Sequence, residues 1–289
     1  MNRPQTISCE QLHFPEVIRS HHMLSAQPFN SVYHMHDSCE LLLFLNGSGD
    51  YYIEHRLYPI SRGTLLLIGS NEMHRAAIQG ASPYERIATH FYPNFIRRFS
   101  TPDCDLLACF KKRPGARQEI LALNHQELEY YLSLADRMHT ALAADHFGHD
   151  ILAATYLLQM LVFVNTCLLS RGEAPKKKPS SPALPLSSQI MAYVNRHLNE
   201  PVTVLELAEY VHLDPSYLCR KFKEQAGCSL REYIILKRVA LAKELLRQGK
   251  TVTEACQGSG FSDYSNFIRT FKKYAGMPPG KFRQNQALP

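Results

Sequence analysis

Residues 33–47 read YHMHDSCELLLFLNG. His34 and His36 stand two apart, and Glu40 follows four residues later. Side chains alternate along a strand, so a strand here sets both imidazoles on one face. Imidazole nitrogens with a carboxylate suit a borderline first-row divalent ion such as zinc, iron, nickel or manganese. The same groups can hydrogen-bond the hydroxyls or carboxylate of a small organic effector. A third reading is structural, with the histidines capping strand ends. A second chemistry lies near the C-terminus, where Arg220, Lys223, Arg269, Lys272 and Lys273 fall at helical spacing. An arginine can bridge guanine O6 and N7 with two parallel bonds, and lysines meet phosphates, which give affinity without sequence information.

The first group needs strands to position it. Between residues 30 and 95, SVYHMH, CELLLFLNG, YYIEHRLYPI, GTLLLIGS and RIATHFY are rich in β-branched, aromatic and leucine residues. Gly47, Gly49, Pro59, Gly63, Gly69 and Gly80 punctuate them, which predicts a closely turned antiparallel barrel or sandwich. The other histidines (His21, His22, His55, His90, His125, His139, His146 and His149) show no comparable grouping.

Two helical segments follow. Asn124 with Glu127 is a capping-box-like start to a helix over 124–143, with apolar positions at 128, 131, 132, 135, 138 and 142. Residues 151–169 carry no charge, which nearly reaches membrane-span length, but Thr155, Gln159, Asn165 and Thr166 argue against a span. A helix this apolar is expected to be buried on two sides, with Leu157, Leu158, Leu161 and Val162 pairing two subunits.

The stretch RGEAPKKKPSSPALPLSS (171–188) has four prolines and no periodicity, and reads as an extended linker. It divides 289 residues into a barrel unit (1–120), a helical segment (121–170), the linker (171–186) and a helical unit (187–289). Net charge is +6, and residues 187–289 alone carry 15 Lys+Arg against 9 Asp+Glu. A basic block of this kind points to a polyanion, nucleic acid before membrane. The eight cysteines are scattered without a CxxC pair, so neither a disulfide framework nor a cysteine zinc site is expected. With no apolar core of signal-peptide length at the start, a reducing cytoplasm is the expected compartment.

The basic block repeats. Ser216, Arg220, Phe222, Lys223, Ala226 and Gly227 recur 49 residues later as Ser265, Arg269, Phe271, Lys272, Ala275 and Gly276. Each copy has a short helix, a tight turn ending in a capping residue (Asp214, or Ser262 with Asp263), and a second helix stopped by glycine. Two helices joined this way form a helix-turn-helix, here over 203–227 and 252–276. Leu218, Phe222, Phe267 and Phe271 fall on the anchoring stripe. Ser216, Tyr217, Cys219, Arg220 and Lys223, and Ser265, Asn266, Arg269, Lys272 and Lys273, are the candidate DNA-facing residues. Residues 230–249 read as the helix between the units. About eighteen helical residues span ~27 Å, near the ~34 Å between adjacent major grooves on one face of DNA.

These residues carry a resemblance. LAEYVHLDPSYLCRKFKEQAG, KRVALAKELL and GFSDYSNFIRTFKKYAGMPPGKFR resemble the DNA-binding domain of AraC/XylS-family transcription regulators over about 187–285. Where that family usually has Ile-Ala, this chain has Ala255-Cys256, followed by Gln257-Gly258-Ser259. Smaller apolar groups and a mid-helix glycine are expected to weaken that helix by ~1–2 kcal/mol. The first stretch, with GTLLLIGSNEMH, resembles the two cupin motifs of many sensor domains in the family: His34-x-His36-x3-Glu40-x6-Gly47, then Gly63-x5-Gly69-x4-His74. The resemblance adds His74 to His34, His36 and Glu40 as effector or metal ligands, since enzymatic cupins hold a metal with the equivalent four residues.

The expectation is an α+β multidomain protein: an antiparallel cupin or jelly-roll barrel with two helices, then an all-α tandem helix-turn-helix domain. Its function is sequence-specific transcription regulation, an activator by the family's usage, not an enzyme. Its partners are double-stranded promoter DNA, a small-molecule effector, RNA polymerase and a second copy of itself, with no membrane. No cofactor is required, and a divalent first-row metal in the His/Glu set stays open. Two alternatives compete: a metal-dependent cupin enzyme of dioxygenase or isomerase type, and a constitutive DNA-binding protein whose barrel only dimerises.

Overall fold

The computed structural model describes residues 6–14, 17–25, 31, 33–54, 56–79, 83–111, 120–171 and 185–286. The chain forms two compact units, residues 1–53 with 57–180, and residues 181–289 with 54–56. The linker predicted at 171–186 lies outside the described residues except for Arg171, Pro185 and Leu186.

The first unit contains strands β1 (Thr6–Phe14), β2 (Ile18–Ser25), β3 (Cys39–Asn46), β4 (Ser48–Ile53), β5 (Arg56–Ile60), β6 (Thr64–Ile68), β7 (His74–Gln79), β8 (Tyr84–Phe91) and β9 (Ile120–Ala122). It also contains helices α1 (Pro93–Arg97), α2 (His125–Ala143) and α3 (His149–Ser170). The larger sheet runs β1-β2-β8-β3-β6-β9 and the smaller runs β5-β4-β7. Of the expected antiparallel barrel or sandwich, the structure has two separate antiparallel sheets, not closed into a barrel and compatible with a jelly roll. The chain leaves one sheet for the other at Gly47, whose φ of +96° is open to glycine. SVYHMH is likewise not a strand among its described residues. His34 forms an isolated bridge to His74 there, and the Ser31 N–H donates to the Ala76 carbonyl oxygen at 3.1 Å.

Period-2 alternation divides β3 between two cores. Leu41, Leu43 and Leu45 pack with Leu65, Leu67, Tyr131, Leu157 and Leu161 on the helical side. Leu42 and Phe44 pack with Tyr51, Ile53, Leu66 and Ile78 on the side of the smaller sheet. This explains the unbroken apolar run, because a central strand covered on both faces needs no polar face. Glu40 shares its parity with Leu42 and Phe44, so its carboxylate belongs to the smaller-sheet side.

Helix α2 begins with the capping box read in the sequence. The Glu127 N–H donates to Asn124 Oδ1 at 2.9 Å, and the Asn124 N–H donates to Glu127 Oε2 at 2.8 Å. Helix α3 is the one described helix long and apolar enough to cross a membrane by length and composition. Its Ala153, Leu157, Met160, Leu161 and Val164 are nevertheless fully buried in this unit's own core. This corrects part of the pairing expectation. Leu157 and Leu161 are interior, Leu158 is half-buried, and Val162 remains exposed.

The second unit is helical: α4 (Leu186–Arg196), α5 (Val204–Tyr210), α6 (Pro215–Ala226), α7 (Leu230–Arg247), α8 (Val252–Gly258), α9 (Tyr264–Ala275) and α10 (Pro279–Gln286). Both short helices of the repeat, α5 and α8, open with Thr–Glu capping boxes, Thr203 with Glu206 and Thr251 with Glu254. Helix α7 is shared between two cores. Its Leu230 and Tyr233 are buried, with Tyr233 against Phe222 of α6. Its Val239, Ala242 and Leu246 join Ala255, Phe267 and Phe271. Gly258 is the last residue of α8, so the expected mid-helix penalty does not arise there.

Candidate functional site

The repeat produces two second helices of the same construction. Helices α6 and α9 are each 12 residues long. Asp214 caps α6, accepting from the N–H groups of Ser216 at 2.9 Å and Tyr217 at 3.0 Å. Asp263 caps α9, accepting from Asn266 N–H at 2.6 Å. Both end at a left-handed glycine, Gly227 with φ +75° and Gly276 with φ +76°. Arg220 and Arg269 are each the sixth residue of their helix.

Burial sorts these helices as the sequence reading expected. Leu218, Phe222, Phe267 and Phe271 are fully buried. Ser216, Tyr217, Arg220, Lys223, Ser265, Asn266, Arg269, Lys272 and Lys273 are exposed, and Cys219 is half-buried. The Arg220 guanidinium stands 5.4 Å from the Tyr217 ring centroid. Ion pairs of this unit use other cations, as in Lys221–Glu224 at 3.0 Å and Arg247–Glu244 at 3.7 Å. Each second helix therefore carries an arginine and lysines on a solvent-facing side, as a groove-reading helix requires.

In the first unit, strand register assembles a second site. Glu40 on β3 pairs directly with His90 on β8, so both project from one face. His74 opens β7 in the opposing sheet, and His36 precedes β3. From His36, Nε2 lies 3.3 Å from Glu40 Oε2; from His74, Nε2 lies 3.4 Å from the same oxygen; from His90, Nε2 lies 3.8 Å from Oε1. The ligand atoms of His36, Glu40 and His90 all lie within 4.8 Å of one another, a grouping able to hold a metal ion.

Nothing near His90 in the chain marks it as a ligand in the sequence. The available signal was its place in RIATHFY, two residues from Ala88 and hence on the same strand face. His34, expected among the ligands, flanks the group. It is exposed, and its ring stands 4.2 Å from that of His74. His55 lies outside the described residues.

Electrostatics divides the roles. Burial alone raises the Glu40 carboxyl, but His90, His36 and His74 together hold it well below the usual carboxylate range. Burial pushes His74 down to about 3 and His90 down to about 4, so both imidazoles are neutral near pH 7. His36 is raised: burial opposes its charge, but the hydrogen bond and attraction from Glu40 outweigh it. Two rings are also held from behind. His74 Nδ1 lies 2.8 Å from the Glu72 carbonyl oxygen, and His36 Nδ1 lies 2.9 Å from that of Ser38. A cleft of about 160 Å³ adjoins the group, lined by Val17, Arg19, His21, His36, Ser38 and His90 among others.

Comparison with known proteins places both units. A family model for AraC-like ligand binding domains matches residues 20–161, and one for a helix-turn-helix domain matches 207–285. YfiF, an HTH-type transcriptional regulator of Bacillus subtilis, is 22% identical over 256 residues, covering 88% of this chain and 79% of YfiF. YobQ, an HTH-type transcriptional regulator of the same organism, is 39% identical over 94 residues, 32% of this chain. The matched segment is 39% of YobQ's own length. Among solved structures, ToxT from Vibrio cholerae aligns over 93% of this chain and 98% of its own, at 12% identity and a TM-score of 0.38.

Proposed function

Because this chain belongs to the AraC/XylS family of transcription regulators, we propose that it is a sequence-specific regulator in which ligand binding by the first unit sets DNA occupancy by the second. The observation that carries this reading is the duplicated helix. Helices α6 and α9 match in length, cap and terminating glycine, and each places an exposed arginine at its sixth residue. Helix α7, with 18 residues, is packed into both modules. Its length of ~27 Å approaches the ~34 Å between successive major grooves on one side of a duplex. One chain would then read an asymmetric site with two recognition blocks. Activation through RNA polymerase is the sense of regulation that this reading takes from the family. A ligand acts here by binding two states of the protein unequally and shifting their populations.

Selection of bound duplexes from a random pool, with the full chain at fixed salt, tests the reading. The expected product is a non-palindromic motif with two conserved blocks about one helical turn, ~10 base pairs, apart. Recovery of unselected sequence, with binding governed by salt alone, would overturn it.

The same reading makes the working form a dimer joined along α3. Ile151, Thr155, Leu158, Val162 and Leu169 are spaced along one side of that helix, and Val162 is 47% and Leu169 70% exposed. Val162→Asp with Leu169→Asp is expected to convert the dimer to monomer in sedimentation, with the unit still folded. Leu161→Asp is expected instead to unfold the unit, since that side chain is fully buried. A wild-type chain sedimenting as monomer, or a variant sedimenting as dimer, would exclude this pairing.

A further inference from the structure

We propose that the first unit binds one divalent first-row transition-metal ion through His36 Nε2, His74 Nε2, His90 Nε2 and the Glu40 carboxylate. The proposal names the ligand of the unit and rests on its reading as ligand-binding. It does not depend on DNA recognition by the helical unit.

His74 carries the argument. Its side chain is fully buried, and its Nδ1 faces the Glu72 carbonyl oxygen at 2.8 Å. A carbonyl only accepts, so Nδ1 bears the hydrogen, and the neutral ring presents a bare lone pair at Nε2. That nitrogen has no hydrogen-bond partner, yet it lies 3.4 Å from Glu40 Oε2, which also presents lone pairs. Two facing lone pairs in a buried position are unfavourable unless a proton or a metal ion lies between them. His36 is also held from behind, with Nδ1 2.9 Å from both the Ser38 carbonyl oxygen and Ser38 Oγ, and its Nε2 is hydrogen-bonded to the same Glu40 oxygen at 3.3 Å. A backbone carbonyl behind each ring is the arrangement that fixes metal-ligating histidines.

Distances agree with this assignment. Metal–nitrogen and metal–carboxylate bonds of ~2.0–2.1 Å set neighbouring ligand atoms of a tetrahedron ~3.3–3.4 Å apart. Glu40 Oε2 lies 3.3 Å from His36 Nε2 and 3.4 Å from His74 Nε2, and Glu40 Oε1 lies 3.8 Å from His90 Nε2. His36, Glu40 and His90 form the mutually close set, which His74 joins through Oε2. Three imidazoles and one carboxylate select a borderline ion over magnesium or calcium, which take oxygen donors. The space beside the group favours an ion over a drug-sized organic molecule. The adjoining cleft, about 160 Å³, is smaller than the ~300–1,000 Å³ that such ligands fill. Leu42, Phe44, Tyr51, Ile68 and Tyr84 fill the adjacent interior between the sheets.

The test uses the full chain stripped with chelator. Zinc is titrated against a chromophoric competitor, and cobalt is followed by its visible absorption. The expected result is one ion per chain, with a cobalt spectrum of nitrogen and oxygen ligation. His36→Ala and His90→Ala, both at partly exposed positions, should weaken binding at least ~100-fold with the circular dichroism unchanged. His34→Ala should stay within about threefold of the parent, a difference under ~1 kcal/mol. Binding that is substoichiometric, or equally tight in His90→Ala, would overturn the site. A loss in His34→Ala as large as that in His90→Ala would overturn the ligand set. Because the readout contains no DNA, failure here leaves the transcriptional reading standing, and failure of duplex selection leaves the metal site standing.

Discussion

Replacing Arg220 and Arg269 together with alanine is expected to abolish discrimination between the selected duplex and a scrambled one, while weak, salt-sensitive attachment persists. Each arginine is exposed at the sixth position of its helix, with Leu218 and Phe222, or Phe267 and Phe271, holding the opposite side. A bidentate arginine–guanine contact contributes ~1–3 kcal/mol of discrimination. Two lost contacts, ~2–6 kcal/mol together, therefore amount to roughly 30-fold to 10⁴-fold in specificity. Each single variant should relax preference at one block of the motif and leave the other intact. Titrating single-base variants of the site at constant salt measures this. Equal loss on every sequence would assign the arginines to phosphate contact. Lys223→Ala, Lys272→Ala and Lys273→Ala provide the contrast. They should weaken all sequences alike, and each should reduce the salt slope by about one.

Gly260→Ala is expected to destabilise the second module by about 2–4 kcal/mol and to lower the unfolding midpoint of the helical unit. Gly260 lies in the turn between α8 and α9 at φ +79°. An added Cβ would intrude on the Leu198 carbonyl oxygen and stand 3.0 Å from Arg238 Nε. Neither neighbour can yield easily. Arg238 is tethered through Nε to Leu198 O at 3.2 Å and through Nη2 to Glu200 O at 2.7 Å. The first module supplies a control. His212 stands 48 residues earlier, in the corresponding turn, at φ +55°. His212→Gly is expected to stabilise by roughly 0.5–1 kcal/mol, because the left-handed conformation costs glycine least. Urea unfolding followed by circular dichroism measures both. An alanine variant as stable as the parent would show that the turn relaxes without cost.

The two turns also explain an offset in the repeat. Thr203 and Thr251 cap helices 48 residues apart, whereas Asp214 and Asp263 cap helices 49 apart. The second turn therefore carries one more residue than the first. Both turns close with the same bond, Leu213 N–H to Ala208 O at 2.9 Å and Phe261 N–H to Cys256 O at 3.2 Å. The added residue thus enters after the left-handed position, between the closing bond and the aspartate cap.

The helical unit was legible in the sequence because its signals are local. A capping aspartate, an apolar residue every three or four positions and a closing glycine lie within one helix, and intrahelical hydrogen bonds span four residues. The sandwich was less legible. The strand character of CELLLFLNG and GTLLLIGS was evident, but nothing in those segments shows which strand pairs with which. Nor did composition separate the interior side of α3 from its exposed side, since apolar residues line both. Leu161 and Val162 are neighbours in the chain, yet one is fully buried and the other is 47% exposed.

The sequence by itself determined that the chain holds duplicated helix-turn-helix modules, and which of their side chains face solvent. It also marked His36 and Glu40 as groups with chemistry. Only the tertiary structure decided the membership of their site. His90 comes from a strand 50 residues beyond Glu40 and joins it through sheet register, while His34, two residues from His36, is left at the edge. Helical periodicity is written in every turn of the chain, but strand partnership is settled by which distant segments bury each other's faces, and no residue spacing encodes that.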